Sequence, residues 1–168
     1  PLFGFTILGN YYLAIQILNL LAIMPENIKK YVLPEDASGV NTTKIKLLTV
    51  CFSVLLALVG IFIAPEIVPI FFPEYSESLE LIPIISLSII PTTISTLYIS
   101  QFLAHEKSGY VVITSIISIL ILVVGIFSLG QIFGVVGLAY SLVISDTFRA
   151  LLFFCLSHIE KSQVNSSN

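Results

Sequence analysis

Charge is scarce in this sequence. Seven basic and ten acidic side chains make up only 10% of 168 residues, whereas a soluble domain carries about 25%. That shortage excludes an ordinary solvated surface, and the lack of any basic cluster excludes a nucleic-acid footprint. Cysteine occurs twice, as Cys51 and Cys155, without Cys-x-x-Cys or Cys/His spacing. Neither metal ligation nor a redox pair is expected from them; lying in apolar runs, both read as small buried hydrophobes. His105 and His158 fall near the ends of such runs and read as interfacial residues. A nucleophile–base pair, a phosphate-cradling glycine loop and a carboxylate cluster within an apolar run are also lacking. No enzyme activity, cofactor or metal is therefore expected.

Long apolar runs are what the chain has instead. It is 57% hydrophobic with a mean hydropathy of +1.04, and the apolar residues come in blocks without strand alternation. Blocks of about 20 apolar residues suit bilayer-spanning helices. The expected fold is all-α, a polytopic membrane helix bundle of about five spans, at 10–32, 45–64, 81–104, 110–129 and 135–158. The last two come from one uncharged stretch, 108–145, which is too long for a single span. Gly130, Gly134 and Gly137 divide it, because clustered glycines punctuate tight turns. Residues 1–9 precede the bundle and residues 159–168 form a polar tail.

Lysine and arginine set the orientation. Lys29, Lys30, Lys44 and Lys46 flank the first connection, Lys107 the third, and Arg149 and Lys161 lie towards the far end. The second connection carries Glu74, Glu77 and Glu80 but no base, a pattern expected of a solvated outer face. All seven bases thus gather on one side, the expected cytoplasmic side of a multi-pass protein of the cytoplasmic membrane, with the C-terminus inside. The chain starts at Pro1 without a charged leader region. It is expected to be a piece of a longer protein with at least one upstream span.

Three stretches carry a resemblance: "LFGFTILGNYYLAIQILNLLAIMPENIKKYVLPEDAS", "IAPEIVPIFFPEYSESLELIPIISLSIIPTTIS" and "GVVGLAYSLVISDTFRALLF". The chain resembles the polysaccharide flippases of the multidrug/oligosaccharidyl-lipid/polysaccharide exporter superfamily over about residues 2–158. Pro73 stands where a glycine would be expected before the acidic-Tyr step. The resemblance implies most of the second bundle of a two-bundle exporter whose N-terminal bundle is missing here. It also implies the flipping of a polyprenyl-(pyro)phosphate-linked oligosaccharide by alternating access, with that lipid-linked oligosaccharide and membrane lipid as partners. Two rivals stay open: a cation-coupled multidrug exporter of the same superfamily, and a non-transporting membrane scaffold for glycan-assembly enzymes.

Polar residues inside apolar spans are the site candidates. Pro83 and Pro91 bend the third span by removing backbone donors, which suggests a hinge. Ser88, Thr92, Ser95 and Thr96 share one helical face beside it. They read either as the wall of a wet cavity or as hydroxyls bonded to their own helix. Gln16 and Asn19, one turn apart in the first span, read as interhelical partners or cavity lining. Thr114, Ser115, Ser118 and Gly125 form a small-residue face for close packing. Asp146 and Arg149 lie one turn apart near mid-membrane, where an isolated charge costs upward of about 2.5 kcal/mol. Three readings remain for them: a structural pair, an Arg149 that reaches for the interface, or a site in which Arg149 grips a phosphate. In sealed cells, cysteines introduced by Ile45→Cys and Lys107→Cys are expected to resist labelling by an impermeant thiol reagent; labelling of both would overturn the orientation.

Overall fold

Hydrocarbon leaves backbone N–H and C=O groups without solvent partners, and a helix satisfies them within its own segment. The computed structural model describes residues 5–71, 73 and 78–166, so Glu74 and Glu77 lie outside the described residues. The helices are α1 (Phe5–Ala37), α2 (Thr43–Phe62), α3 (Ala64–Phe71), α4 (Ser78–Leu87), α5 (Ile89–Ala104) and α6 (Ser108–Ser166). The domain is all-α. Among the described residues, three segments are long and apolar enough to cross a membrane: Thr43–Phe62, Leu79–Ala104 and Ser108–Ile159.

The last of these cannot be one rod. At about 1.5 Å per residue, α6 would extend for about 90 Å, far beyond a hydrocarbon core of about 30 Å. Gly134 breaks it with φ 59° and ψ −130°, a conformation that the missing Cβ permits. The chain doubles back there into two antiparallel arms, 108–133 and 135–166. The Ser118 and Ser145 hydroxyls lie 2.9 Å apart across the arms, and Ser145 Oγ donates to the Ser118 carbonyl at 2.8 Å. Thr114 and Ser118 are buried and Gly125 abuts Ser141, so the small-residue face is a packing face, as expected.

α1 runs further than the 10–32 expected. It continues through Pro25 and Pro34 to Ala37 and ends at Gly39, whose φ is 77°. The Val40 N–H reaches back to the Glu35 carbonyl at 3.1 Å, the six-to-one bond of a glycine-terminated helix. Lys29 and Lys30 therefore belong to α1, and Lys44 and Lys46 to the opening of α2. A clasp joins the two helices. The Thr42 hydroxyl donates to Asp36, and Lys46 Nζ lies 2.7 Å from Asp36 Oδ2.

α4 and α5 form the centre. Half of the apolar stretch of Leu79–Ala104 is buried, whereas those of Thr43–Phe62 and Ser108–Ile159 are mostly exposed. α5 touches α1, α2 and α6, and Leu81, Ile82, Ile85 and Ile89 pack with Ala14, Leu18, Ala57 and Ala139. The two helices part at Ser88, which is wholly buried. Its N–H takes the tighter bond to Ile85 at 2.9 Å, and Pro91 has no N–H to offer the preceding turn. The break thus falls between Pro83 and Pro91, as their positions suggest. Near the base-rich end, Phe102 contacts Phe153 and Tyr110 at ring distances of 5.8 and 5.6 Å, tying α5 to both arms of α6.

One expectation is corrected. Cys51 and Cys155 are free and exposed, not buried. The outside of a membrane bundle is as apolar as its inside, so an apolar run does not say which flank of a helix is packed. His105 and His158 are exposed, near the ends of α5 and of the described side chains of α6. A Cβ on Gly137 would meet the Leu129 carbonyl oxygen at 2.0 Å. Gly137→Ala is expected to destabilise the hairpin by about 1–3 kcal/mol, read as a lower unfolding midpoint in detergent, whereas Gly109→Ala, with open space around it, should change far less.

Candidate functional site

Asp146 is the carboxylate on which the polar interior converges. It lies roughly 16 Å down the arm that starts after Gly134, and it is only 8% exposed. Helical spacing puts Arg149 over it, with Nη2 3.1 Å from Oδ1. From α5, the Thr92 hydroxyl donates to Oδ2 at 3.1 Å. The Ser88 hydroxyl faces the same carboxylate outside hydrogen-bonding geometry, and Tyr11 of α1 lies within reach of its charge. Three helices thus meet at one anionic group, beside the break between α4 and α5.

The pair is not a surface ion pair. The Asp146 side chain is 11% exposed and that of Arg149 24%. Removing two charges from water costs several kcal/mol per ion, which attraction offsets only when further hydrogen bonds are made. Thr92 supplies one such bond on the acidic side. On the basic side the account is incomplete, because Arg149 Nε is buried without a partner. A guanidinium has five donors in a planar fork that matches two oxygens of a phosphate or carboxylate. The geometry therefore holds one part of the fork and leaves another uncommitted.

A cleft of about 360 Å³ opens next to this cluster, lined by Leu18, Asn19, Ala22, Ile23, Glu26, Asn27 and Lys30 of α1 and by Thr92. Thr92 is shared: its hydroxyl bonds Asp146, and its side chain walls the cleft. Asn19, Glu26 and Lys30 recur at i, i+7 and i+11, and Gln16 lies one turn before Asn19, so all four share a face of α1. All four are exposed. Gln16 and Asn19 are therefore not shared between helices within this chain, one of the two outcomes open from the sequence. Exposed amides in an apolar helix do not suit contact with lipid, so this face suits contact with water or protein.

No family model, curated protein or solved structure matches the chain. The site's chemistry is accordingly read from its own geometry.

Of the candidate residues, Asp146, Arg149, Thr92 and Ser88 come together at the helix break, and Asn19 joins them through the cleft. Ser95 and Thr96 are buried along α5, and the Ser95 hydroxyl has no partner. Gln16 stands apart, exposed on α1. Among the described residues, no three His, Cys, Asp or Glu side chains group as metal ligands. The residues missed from sequence are Tyr11, Glu26 and Asn27, together with the place of Lys30 in the cleft. Helical period leads from Asn19 to Glu26 and Lys30 within the span expected at 10–32. Asp146→Ala strands Arg149 and is expected to destabilise by about 3 kcal/mol, the low end for a broken buried pair because Arg149 keeps some solvent. Thr92→Val should cost about 1 kcal/mol; equal unfolding midpoints for the two variants in detergent would contradict this ranking.

Proposed function

We propose that the chain is part of a membrane transporter that moves a polyprenyl-(pyro)phosphate-linked oligosaccharide across the cytoplasmic membrane by alternating access. In this reading the five spans are α1, α2, the α4–α5 segment and the two arms of α6, and they form most of one bundle. The base-rich end faces the cytoplasm. A second bundle, contributed by the missing N-terminal part of the parent chain, faces the polar side of α1 across a wet cavity.

One observation carries the reading: a largely buried guanidinium, held by Asp146 and with Nε uncommitted, lies beside a broken helix and close to the cleft that Thr92 shares. A polar cluster of that kind inside a span costs free energy, and transporters use broken helices lining cavities to accommodate it. The chemistry follows from the parts. Arg149 donates to the phosphate oxygens, and Asp146 holds the guanidinium in register and limits its excess charge. Asn19, Asn27 and Thr92 offer neutral hydrogen bonds suited to sugar hydroxyls, while the prenyl tail stays in lipid. The Ser88 break, with Pro83 and Pro91 on either side, gives α4 and α5 a place to flex as the cavity changes its opening. The loose motif resemblance in the first, middle and last spans supports the same substrate class.

In the intact parent, Arg149→Ala is expected to lower flipping of a fluorescent lipid-linked oligosaccharide in vesicles about tenfold or more, the size of a lost charge-assisted hydrogen bond, with protein level maintained. Flipping at the parent rate by Arg149→Ala would remove the basis of this reading.

A further inference from the structure

A second concavity lies apart from the Asp146 cluster. One face of the opening turns of α2 and one face of the closing turns of α5 enclose a groove of about 400 Å³, with Phe154 of α6 also in its wall. Most of its polar groups lie at one end. Thr43, Lys46 and Gln101 mark the mouth, on the side where the bases gather, Leu47 and Tyr98 follow, and Val50 and Ile94 line the depth. Val50 is roughly 10 Å along α2 from Thr43, so the groove runs about two turns from a donor-rich mouth into hydrocarbon depth.

That polarity says what fits. Lys46 gives one contact to Asp36 but an ammonium has three donors. Lys44, at the same end of α2 but on its opposite flank, is exposed, so at that membrane level these two lysines outweigh Asp36 by one charge. The positive end of the 20-residue α2 dipole adds to them. A wholly apolar occupant, such as a helix flank of another chain, would cover these donors without meeting them. An occupant with an anionic head and an apolar tail satisfies both ends. The groove also opens beside Leu47, which is 65% exposed on a helix apolar enough to cross a membrane, so the medium at its edge is lipid. We propose that the groove seats one acyl chain of an anionic phospholipid from the leaflet on the base-rich side, with the lipid phosphate against Lys46. This lipid is a bound companion of the fold, separate from any transported substrate, and the proposal stands without the transport reading.

The chain contains no tryptophan, so Leu47→Trp provides a single reporter at the groove, and Leu58→Trp, exposed further along α2, provides one away from it. Both are reconstituted in phosphatidylcholine vesicles in which either brominated phosphatidylglycerol or brominated phosphatidylcholine acts as quencher. At position 47 the anionic lipid is expected to be preferred about fivefold, the scale of one lysine–anionic-lipid contact. At position 58 the two lipids should quench alike. Lys46→Gln should bring the ratio at 47 close to one. If that variant loses helix content through the broken Asp36 clasp, Gln101→Leu replaces it and must lower the ratio. Equal quenching at 47, the same preference at 58, or a preference that survives the mouth substitution would each overturn the proposal.

Discussion

Hydrocarbon offers no hydrogen bonds, so a polar group within the apolar bundle is costly unless protein or water meets it. The architecture answers much of that demand, leaving the Ser88 and Ser95 hydroxyls and Arg149 Nε buried without partners. Backbone groups are met within helices, and the two arms of α6 are tied by Ser118 and Ser145. Asp146 is met by Arg149 and Thr92. Where a helix must break, at Ser88, the break is wholly buried, which keeps the freed backbone groups away from lipid.

The same demand separates two kinds of polar residue. Ser118, Ser141 and Ser145 are small, buried and bonded, and they let helices approach closely. Gln16, Asn19, Glu26 and Lys30 are large or charged and exposed along one face of α1. The first group explains packing and needs no function. The second has no use in a helix facing lipid, and the cleft that Asn19, Glu26 and Lys30 share with Thr92 connects them with the buried pair. Asp146 joins α5 to α6 and holds a guanidinium whose Nε is unspent.

At the base-rich end the constraint relaxes, because water and headgroups are near. There the Asp36–Thr42–Lys46 clasp fixes α1 to α2, and the Phe102–Phe153–Tyr110 contacts fix α5 to α6.

The amino-acid sequence by itself determined the all-α membrane character, because a chain this poor in charge cannot clothe itself in water. It also determined the turn near Gly134, where only a residue without Cβ fits easily, the break between Pro83 and Pro91, where donors are missing, and the nearness of Asp146 to Arg149, which follows from helical spacing. Tertiary structure alone decided the rest. In lipid both flanks of a helix are apolar, so nothing in the order of residues told that Cys51 and Cys155 face outwards or that Thr92 turns to Asp146. Helical period carries the face of Asn19 on to Glu26 and Lys30, but it could not show that this face lies beside Thr92, since that depends on how α1 lies against α5. Spacing along a helix is set by covalent geometry; pairing between helices is set by which flanks meet.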